Sequence, residues 1–127
     1  MRQMNRFVSK GFTLIELMVV LAVMAMLATI VSPRMFGQLN RAKEETLQHN
    51  LLEVRRAIDK HFDDTGSYPA SIEELVADRY LYKKPVDPMT GRSDSWKLSP
   101  GPDGNGFTDL HSGAVGNGID GSPYSTW

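Results

Sequence analysis

A run of twenty residues, Phe12 to Val31, contains a single charged side chain, that of Glu16. At the helical rise of about 1.5 Å per residue, such a run is about 30 Å long, which is enough to cross the hydrocarbon core of a bilayer. A cleaved secretory signal has a shorter apolar region of about 7–15 residues and a small-x-small cleavage site. Ser32-Pro33-Arg34 does not resemble such a site, so the run predicts a membrane-spanning helix over residues 12–33.

Charge and composition divide the chain at this run. Three basic residues, Arg2, Arg6 and Lys10, precede it, and the positive-inside rule therefore predicts a cytoplasmic N-terminus with residues 34–127 across the membrane. Residues 34–127 contain 11 Lys and Arg and 14 Asp and Glu, a net charge of about −3, which gives no reason to expect nucleic acid as a partner. The chain has no cysteine, so contacts other than disulfides must hold its loops.

The segment Lys10-Gly11-Phe12-Thr13-Leu14-Ile15-Glu16, with the apolar run after it, resembles the N-terminus of the type IV pilin and type II secretion pseudopilin family. The resemblance implies that residues 1–11 are a leader peptide, which a prepilin peptidase removes by cutting after Gly11 on the cytoplasmic side. It also implies N-methylation of the new amino terminus at Phe12. The implied location is the bacterial inner membrane, with a single pass, a periplasmic domain over residues 34–127 and extraction of the subunit into a filament.

Glu16 is a candidate assembly residue, because a carboxylate at the centre of a membrane helix costs about 2.5–3.5 kcal/mol. In a filament, the helices leave the bilayer and pack in a core of low dielectric, where Glu16 is expected to pair with the Phe12 amine of a neighbouring subunit. Opposite charges interact far more strongly there than in water, so this pairing would select the register of assembly. The alternative is a signal-anchor helix whose Glu16 only snorkels to the interface.

Pro33 is a further assembly candidate, and it lies where pilin-like proteins usually carry a proline. A proline inside a helix removes one hydrogen bond and clashes with the preceding turn, which predicts a kink or a locally melted segment near Ala28 to Pro33 with the helix continuing beyond. The alternative is that Pro33 ends one helix and a second begins. Residues 34–64 have the helical period, because apolar residues recur at three- and four-residue steps: Leu39, Leu47, Leu51, Val54, Ile58 and Phe62.

Gly66 is expected to end this amphipathic helix, since glycine suits a left-handed cap. Ser71 and Glu74 have the spacing of a capping box, which predicts a short helix over residues 71–78. The segment Thr65 to Pro69 resembles the part of the pseudopilin chain that follows the long helix.

Two short strands separated by turn residues are predicted further along. They form a hairpin over about residues 95–111, with Trp96 and Leu98 on one face, and the hairpin is expected to cover the apolar stripe of the long helix. The preceding Pro-x-Asp-Pro pattern, Pro85 to Pro88, also resembles the pseudopilin chain at this point.

The tail, residues 112–127, is rich in Gly, Ser and Asn, and ordering it would cost considerable entropy. Tyr124 and Trp127 are the candidates to anchor it. Calcium binds about six to eight carboxylate and carbonyl oxygens, and the resemblance to major pseudopilins, which hold this loop with calcium, points to such a site. The chain departs from that pattern, because its loop is several residues shorter and one expected aspartate is absent. The candidate calcium ligands are Asp109, Asp120 and Ser122, and the alternative is a loop without metal.

The sequence predicts no catalysis. Asp109, His111 and Ser112 are the residue types of a nucleophilic triad, but a triad needs groups that converge from separate parts of a fold. The sequence has no G-x-S-x-G elbow, no zinc-ligand spacing and no phosphate-binding loop. His49 and His61 lie on the long helix, where they are expected to face solvent.

These patterns predict an α+β, pilin-like fold, in which a long N-terminal helix, transmembrane in its first half, packs on a small antiparallel sheet with a C-terminal loop. The resemblance is greatest to major, G-type pseudopilins, and it implies a structural subunit of the periplasmic pseudopilus that drives exoprotein export in type II secretion. The implied partners are further copies of the chain through the N-terminal helices, minor pseudopilins, the inner-membrane assembly platform and the prepilin peptidase. The alternatives are a type IV pilus subunit for adhesion, motility or DNA uptake, and a membrane-anchored periplasmic binding module.

Overall fold

The computed structural model describes residues 10–127, apart from the side chains of residues 31–33. Residues 1–9, most of the predicted leader peptide, lie outside the described residues. The chain divides into two compact units, of which the first ends at Gln38 and the second begins at Leu39. The elements in order are helix α1 (Leu14–Thr65), helix α2 (Ile72–Ala77), strand β1 (Lys97–Pro100), strand β2 (Phe107–His111) and a 3-10 turn (Tyr124–Thr126).

The described part of the N-terminal unit is the non-helical segment of residues 10–13 and the first half of α1. Thr13 caps this helix, because its Oγ1 accepts a hydrogen bond from the backbone N–H of Glu16 at 3.2 Å. The large apolar side chains from Leu14 to Ile30 are between 48 % and 81 % exposed, so the unit itself does not cover them. By length and composition, α1 is able to cross a membrane, where lipid or neighbouring helices cover such side chains.

The backbone of α1 is helical through position 33. The predicted locally melted segment is therefore not observed, and the alternative of two separate helices is wrong. Prolines are tolerated inside membrane helices because neighbouring groups and local adjustments satisfy the freed carbonyl. The side chain of Pro33 lies outside the described residues, and its role in assembly stays a prediction.

In the C-terminal unit, the second half of α1 carries one side of the hydrophobic core. The central members of the predicted stripe are at most 1 % exposed: Leu47, Leu51, Val54 and Ile58. The prediction is wrong at the two ends, because Leu39 is 53 % and Phe62 40 % exposed. Burial on α1 begins only at Glu44, and Phe62 stacks on the ring of Tyr68, with the two centroids 4.6 Å apart, at the edge of the core.

The hairpin covers this stripe mainly through its second strand. β1 and β2 are antiparallel, with Leu98 opposite Leu110, and Phe107 and Leu110 of β2 are buried. The predicted common face of Trp96 and Leu98 is wrong, because β1 begins only after Trp96 and Leu98 is exposed. Trp96 lies before β1 and is buried in the same core, and its ring N–H donates a hydrogen bond to the Pro85 carbonyl at 2.9 Å.

The connection between the two helices follows the predicted capping chemistry, with one difference. Gly66 has a φ of +74°, and its N–H donates to the Phe62 carbonyl at 2.8 Å, which ends α1 as a left-handed cap. The hydroxyl of Ser71 accepts a hydrogen bond from the Glu74 N–H at 3.2 Å. The carboxylate of Glu74 turns back to the N–H of Ala70 rather than to that of Ser71, so the box closes one residue earlier than the usual pattern.

Candidate functional site

The Gly11–Phe12 peptide bond lies in a segment without helical structure, residues 10–13, directly before α1. Both residues are exposed, and a Cβ atom built on Gly11 would meet no other atom within 4 Å. Peptidases act on accessible bonds outside regular structure. The geometry of this segment is therefore compatible with cleavage after Gly11, and the cleavage itself stays a prediction.

Glu16 lies in the first turn of α1, where a negative charge interacts favourably with the helix dipole. Its side chain is exposed, and within residues 10–127 the ion pairs of the structure do not include it. Apolar side chains surround it on the helix surface. Such a carboxylate is costly in a membrane or filament core unless a cation from outside these residues pairs with it.

Glu44 binds the C-terminal tail from the buried side of α1. Its Oε1 accepts a hydrogen bond from the Ile119 N–H at 2.9 Å and one from the Tyr124 hydroxyl at 2.8 Å. Burial and the hydrogen bond to Glu44 raise the pKa of Tyr124. The predicted anchoring by Tyr124 is thus confirmed, whereas its partner Glu44 was not predicted.

Trp127 holds the end of the tail. Its ring N–H donates to the Ser122 hydroxyl oxygen at 2.7 Å, and its backbone carbonyl accepts a hydrogen bond of 2.7 Å from Nδ1 of His111. The rings of Trp127 and Tyr124 meet edge to face, with centroids 5.2 Å apart, and both pack on the hydrophobic core. Protein contacts therefore close the tail on the domain.

Asp109, the first candidate calcium ligand, faces Arg55 of α1. The guanidinium Nε donates to Asp109 Oδ1 at 2.7 Å, and the backbone N–H of Leu110 donates to the same oxygen at 2.7 Å. Burial raises the pKa of Asp109, but the hydrogen bonds from Arg55 and Leu110 outweigh that effect and hold this pKa below its usual value. Asp109 therefore already has a cationic partner.

Asp120 and Ser122, the other two candidates, bond to each other across a turn. Asp120 Oδ1 accepts hydrogen bonds from the Ser122 hydroxyl at 2.6 Å and from the Ser122 N–H at 3.0 Å. These hydrogen bonds lower the pKa of Asp120.

All three candidate calcium ligands already make hydrogen bonds within the chain. Calcium needs several oxygen atoms free to turn toward one point, but Arg55 neutralises Asp109, and Ser122 uses Oδ1 of Asp120. No part of the function proposed below therefore depends on calcium, and calcium binding at these residues stays a prediction.

The three residues with the types of a nucleophilic triad, Asp109, His111 and Ser112, do not form one chain of hydrogen bonds. The Ser112 hydroxyl donates to Asp87 Oδ2 at 2.6 Å, and both residues are fully buried. His111 Nε2 lies 3.8 Å from Asp109 Oδ2, while its Nδ1 binds the Trp127 carbonyl. The proton of Ser112 is thus directed to Asp87 rather than to a histidine, which is not the arrangement of an activated nucleophile.

His61 contradicts the prediction that both histidines of α1 face solvent. His49 is exposed, but His61 is only 3 % exposed, because it follows Ile58 by three residues on the buried stripe. Its Nδ1 lies 2.9 Å from the Ser67 carbonyl, and the ring of Tyr80 packs edge-on against it with centroids 5.2 Å apart.

Comparison with known proteins gives matches to one motif family and to a group of relatives that share one name. Residues 6–32 match the family described as the prokaryotic N-terminal methylation motif. The chain is 30 % identical to type II secretion system core protein G of Klebsiella michiganensis, over 94 % of this chain and 90 % of that protein. It is 32 % identical to the protein of the same name in Pseudomonas aeruginosa, over 89 % and 81 %, and 30 % identical to that of Vibrio cholerae, over 84 % and 73 %. No solved structure matches the chain significantly.

Proposed function

Because the chain belongs to the family of type II secretion system core protein G, the major pseudopilins, we propose that it is the structural subunit of a periplasmic pseudopilus. The observation that carries this proposal is the similarity over about nine-tenths of the chain to relatives of that name. The apolar first half of α1 is the polymerising part, and the domain of residues 39–127 is displayed on the filament surface. Growth of the filament drives exoproteins through the outer membrane, so the role of the chain is mechanical rather than enzymatic.

Maturation begins with the prepilin peptidase, which removes residues 1–11. The exposed, non-helical Gly11–Phe12 bond supports this step, as does the methylation motif matched over residues 6–32. Cleavage leaves an amine at Phe12, which is then N-methylated. Before assembly, α1 spans the inner membrane once with its N-terminus in the cytoplasm, as the basic residues before the helix favour.

Assembly depends on Glu16. The carboxylate lies four residues after Phe12 and within the apolar part of α1, so a subunit drawn into the filament core carries both an amine and a carboxylate near its end. The Phe12 amine of one subunit pairs with Glu16 of the next, which removes the penalty of an isolated charge and fixes the register of the helices. Pro33 contributes local adjustment of the helix during extraction from the membrane. The inner-membrane platform and the minor pseudopilins are the remaining partners.

The Glu16→Ala variant in a strain that lacks the wild-type chain tests this proposal. We expect the variant to insert into the membrane and to be cleaved to a chain beginning at N-methylated Phe12, as measured by intact mass. We expect it to form no filaments and to abolish exoprotein secretion. Glu53→Ala, which removes an exposed carboxylate from the domain part of α1, is the matched control and should support both processes.

Two results would contradict the proposal separately. Normal filaments from Glu16→Ala would exclude the pairing of Glu16 with Phe12 without affecting the family assignment. A deletion strain that secretes normally but lacks surface fibres or twitching motility would instead assign the chain to a type IV pilus.

A further inference from the structure

His61, Glu74 and Asp78 form a cluster between the end of α1 and α2. His61 Nε2 lies 3.9 Å from Glu74 Oε1 and 3.9 Å from Asp78 Oδ2. One donor atom from each of the three residues lies within 4.8 Å of the other two, and in the described part of the chain this is the one such group of His, Asp and Glu. Glu74 lies in α2, and Asp78, four residues later, is the C-cap of that helix, so the two side chains lie on one side of it. We propose that this cluster binds a divalent transition-metal ion of the Zn²⁺ type.

The hydrogen bond made by Nδ1 fixes the tautomer of the His61 imidazole. Nδ1 lies 2.9 Å from the carbonyl oxygen of Ser67, and because a carbonyl only accepts, Nδ1 carries the hydrogen. In the neutral ring, Nε2 then presents a lone pair. No hydrogen bond to Nε2 is formed within residues 10–127, although the side chain is 96 % buried and directed at two carboxylates.

The lone pair of Nε2 and the oxygens of two carboxylates together offer electron pairs to one cation. The 3.9 Å separations are too long for hydrogen bonds, which have heavy-atom distances of about 2.7–3.2 Å. Two ligands that each bind a tetrahedral zinc ion at about 2.0–2.2 Å lie about 3.3–3.6 Å apart. The two separations from His61 exceed this spacing by a few tenths of an ångström, and the oxygens of Glu74 and Asp78 lie within 4.8 Å of each other, so rotation of the two carboxylates is needed to close the site.

The surroundings of the cluster match those of a metal-bound histidine. A ligating imidazole almost always donates its second N–H to a carbonyl or carboxylate, as His61 does to Ser67. The other oxygen of Glu74 is fixed by the N–H of Ala70, and Tyr80 packs against the imidazole ring. The side chain of Asp78 is 52 % exposed, which leaves an entry path and room for a water as a fourth ligand.

The donor set selects the class of metal. One imidazole nitrogen with two carboxylates suits zinc and similar ions, whereas calcium takes oxygen ligands. Two carboxylates and a neutral imidazole carry a charge of about −2, which a divalent ion balances. Bound metal would join the last turns of α1 to α2 and brace the loop between them.

The test uses the full-length, untagged chain in detergent, stripped of metal and titrated with ZnCl₂ by calorimetry. We expect one equivalent to bind, the melting temperature to rise with metal, and Co²⁺ to give a visible ligand-field absorption band. Asp78→Asn and Glu74→Gln should each weaken binding at least tenfold. Asp78 is exposed, so its variant is expected to fold even if His61→Gln does not. His49→Gln, which removes an exposed histidine from the same helix, is the matched control and should bind as the wild type does.

Four outcomes would overturn the proposal. The first is the absence of saturable binding, and the second is binding that survives in both carboxylate variants. The third is a melting temperature that does not respond to added metal, because contacts within the chain would then hold the cluster. Equal losses in the His49 and Asp78 variants would likewise exclude this site.

Discussion

The carboxylate of Glu44 on α1 accepts a hydrogen bond from the hydroxyl of Tyr124 at 2.8 Å, although eighty residues separate them in the chain. The same oxygen accepts the Ile119 N–H, so one nearly buried side chain holds the tail at two points. A Gly-rich segment without disulfides has few other means of offsetting the entropy of ordering. The contact therefore explains how a cysteine-free tail stays on the domain.

Glu44→Ala is expected to release the tail. Removing the carboxylate leaves two donors without their acceptor, which destabilises the local structure by about 1–3 kcal/mol. Hydrogen exchange of the Ile119 amide measures this directly, and we expect protection to fall by about tenfold or more. Glu45→Ala is the control, because Glu45 is exposed and, among residues 10–127, forms its ion pair with Arg41 at 3.4 Å. Equal protection of Ile119 in the wild type and Glu44→Ala would show that other contacts order the tail.

Removal of calcium is expected to leave the tail unchanged. Arg55 binds one oxygen of Asp109, and Ser122 binds one oxygen of Asp120. Because contacts of Glu44 hold the tail, the chelator EGTA should not alter exchange of the Ile119 amide. The local amide is the appropriate probe, because a chelator also removes metal from the His61 cluster and so changes overall thermal stability. A loss of Ile119 protection in EGTA that added CaCl₂ restores would establish a calcium-bound tail.

The helical period located four of the five buried apolar residues of α1 from the sequence, but the buried face of this helix also includes two polar residues. The buried residues Leu47, Leu51, Val54 and Ile58 continue by one further step at each end to Glu44 and His61, which are buried as well. Polar residues are mostly exposed in proteins, so these two positions did not resemble core. Their burial depends on the tail and on α2, and no local pattern reveals contacts with segments so distant in sequence.

Short elements were predicted less accurately, for a related reason. The predicted strand placed Leu98 on the same face as Trp96, toward the core. In the structure β1 starts at Lys97, and of the two strands β2 is the one with buried side chains. Asp87 had the chemistry of a turn residue, and its turn is present, since the Gly91 N–H donates to the Asp87 carbonyl at 2.8 Å. The burial of its carboxylate against Ser112 comes from packing between separate segments. Turn propensity is a local property and does not predict such packing.

The Arg55–Asp109 pair is expected to make stability depend on pH in the acid range. The pKa of Asp109 is lowered in the folded chain, so the unfolded chain binds the proton more tightly. The contribution of the pair is therefore present above the unfolded value of about 4 and is lost as pH falls through the lower folded value. Because both side chains are more than a third exposed, we expect only about 0.5–1 kcal/mol.

Arg55→Gln and Arg56→Gln provide the comparison for this pair. Both remove one positive charge from neighbouring positions of α1, but only Arg55 contacts Asp109. Urea unfolding between pH 2 and 7 should show that Arg55→Gln loses part of the acid-dependent stability and that Arg56→Gln retains it. If the free energies of unfolding of the two variants change with pH in the same way, net charge, and not this pair, sets the pH dependence of stability.

Asp87→Ala is expected to be among the most destabilising single changes in the domain. The carboxylate is fully buried and accepts hydrogen bonds from the Ser112 hydroxyl at 2.6 Å and from the Met89 N–H at 2.9 Å. Its removal leaves a cavity and unsatisfied donors, which together cost about 2–4 kcal/mol. Asp87→Asn keeps an acceptor and should lose less.

Asp94→Ala is the matched control for Asp87, because Asp94 is exposed and its hydrogen bonds in the described part of the chain are with Arg92, two residues earlier. Urea unfolding should give a large decrease in stability for Asp87→Ala, an intermediate one for Asp87→Asn and a small one for Asp94→Ala. Since Ser112 follows β2 and Asp87 lies in the turn before β1, this order would show that the buried carboxylate joins the two segments. Equal stabilities for Asp87→Ala and Asp94→Ala would mean that packing around the hairpin suffices without it.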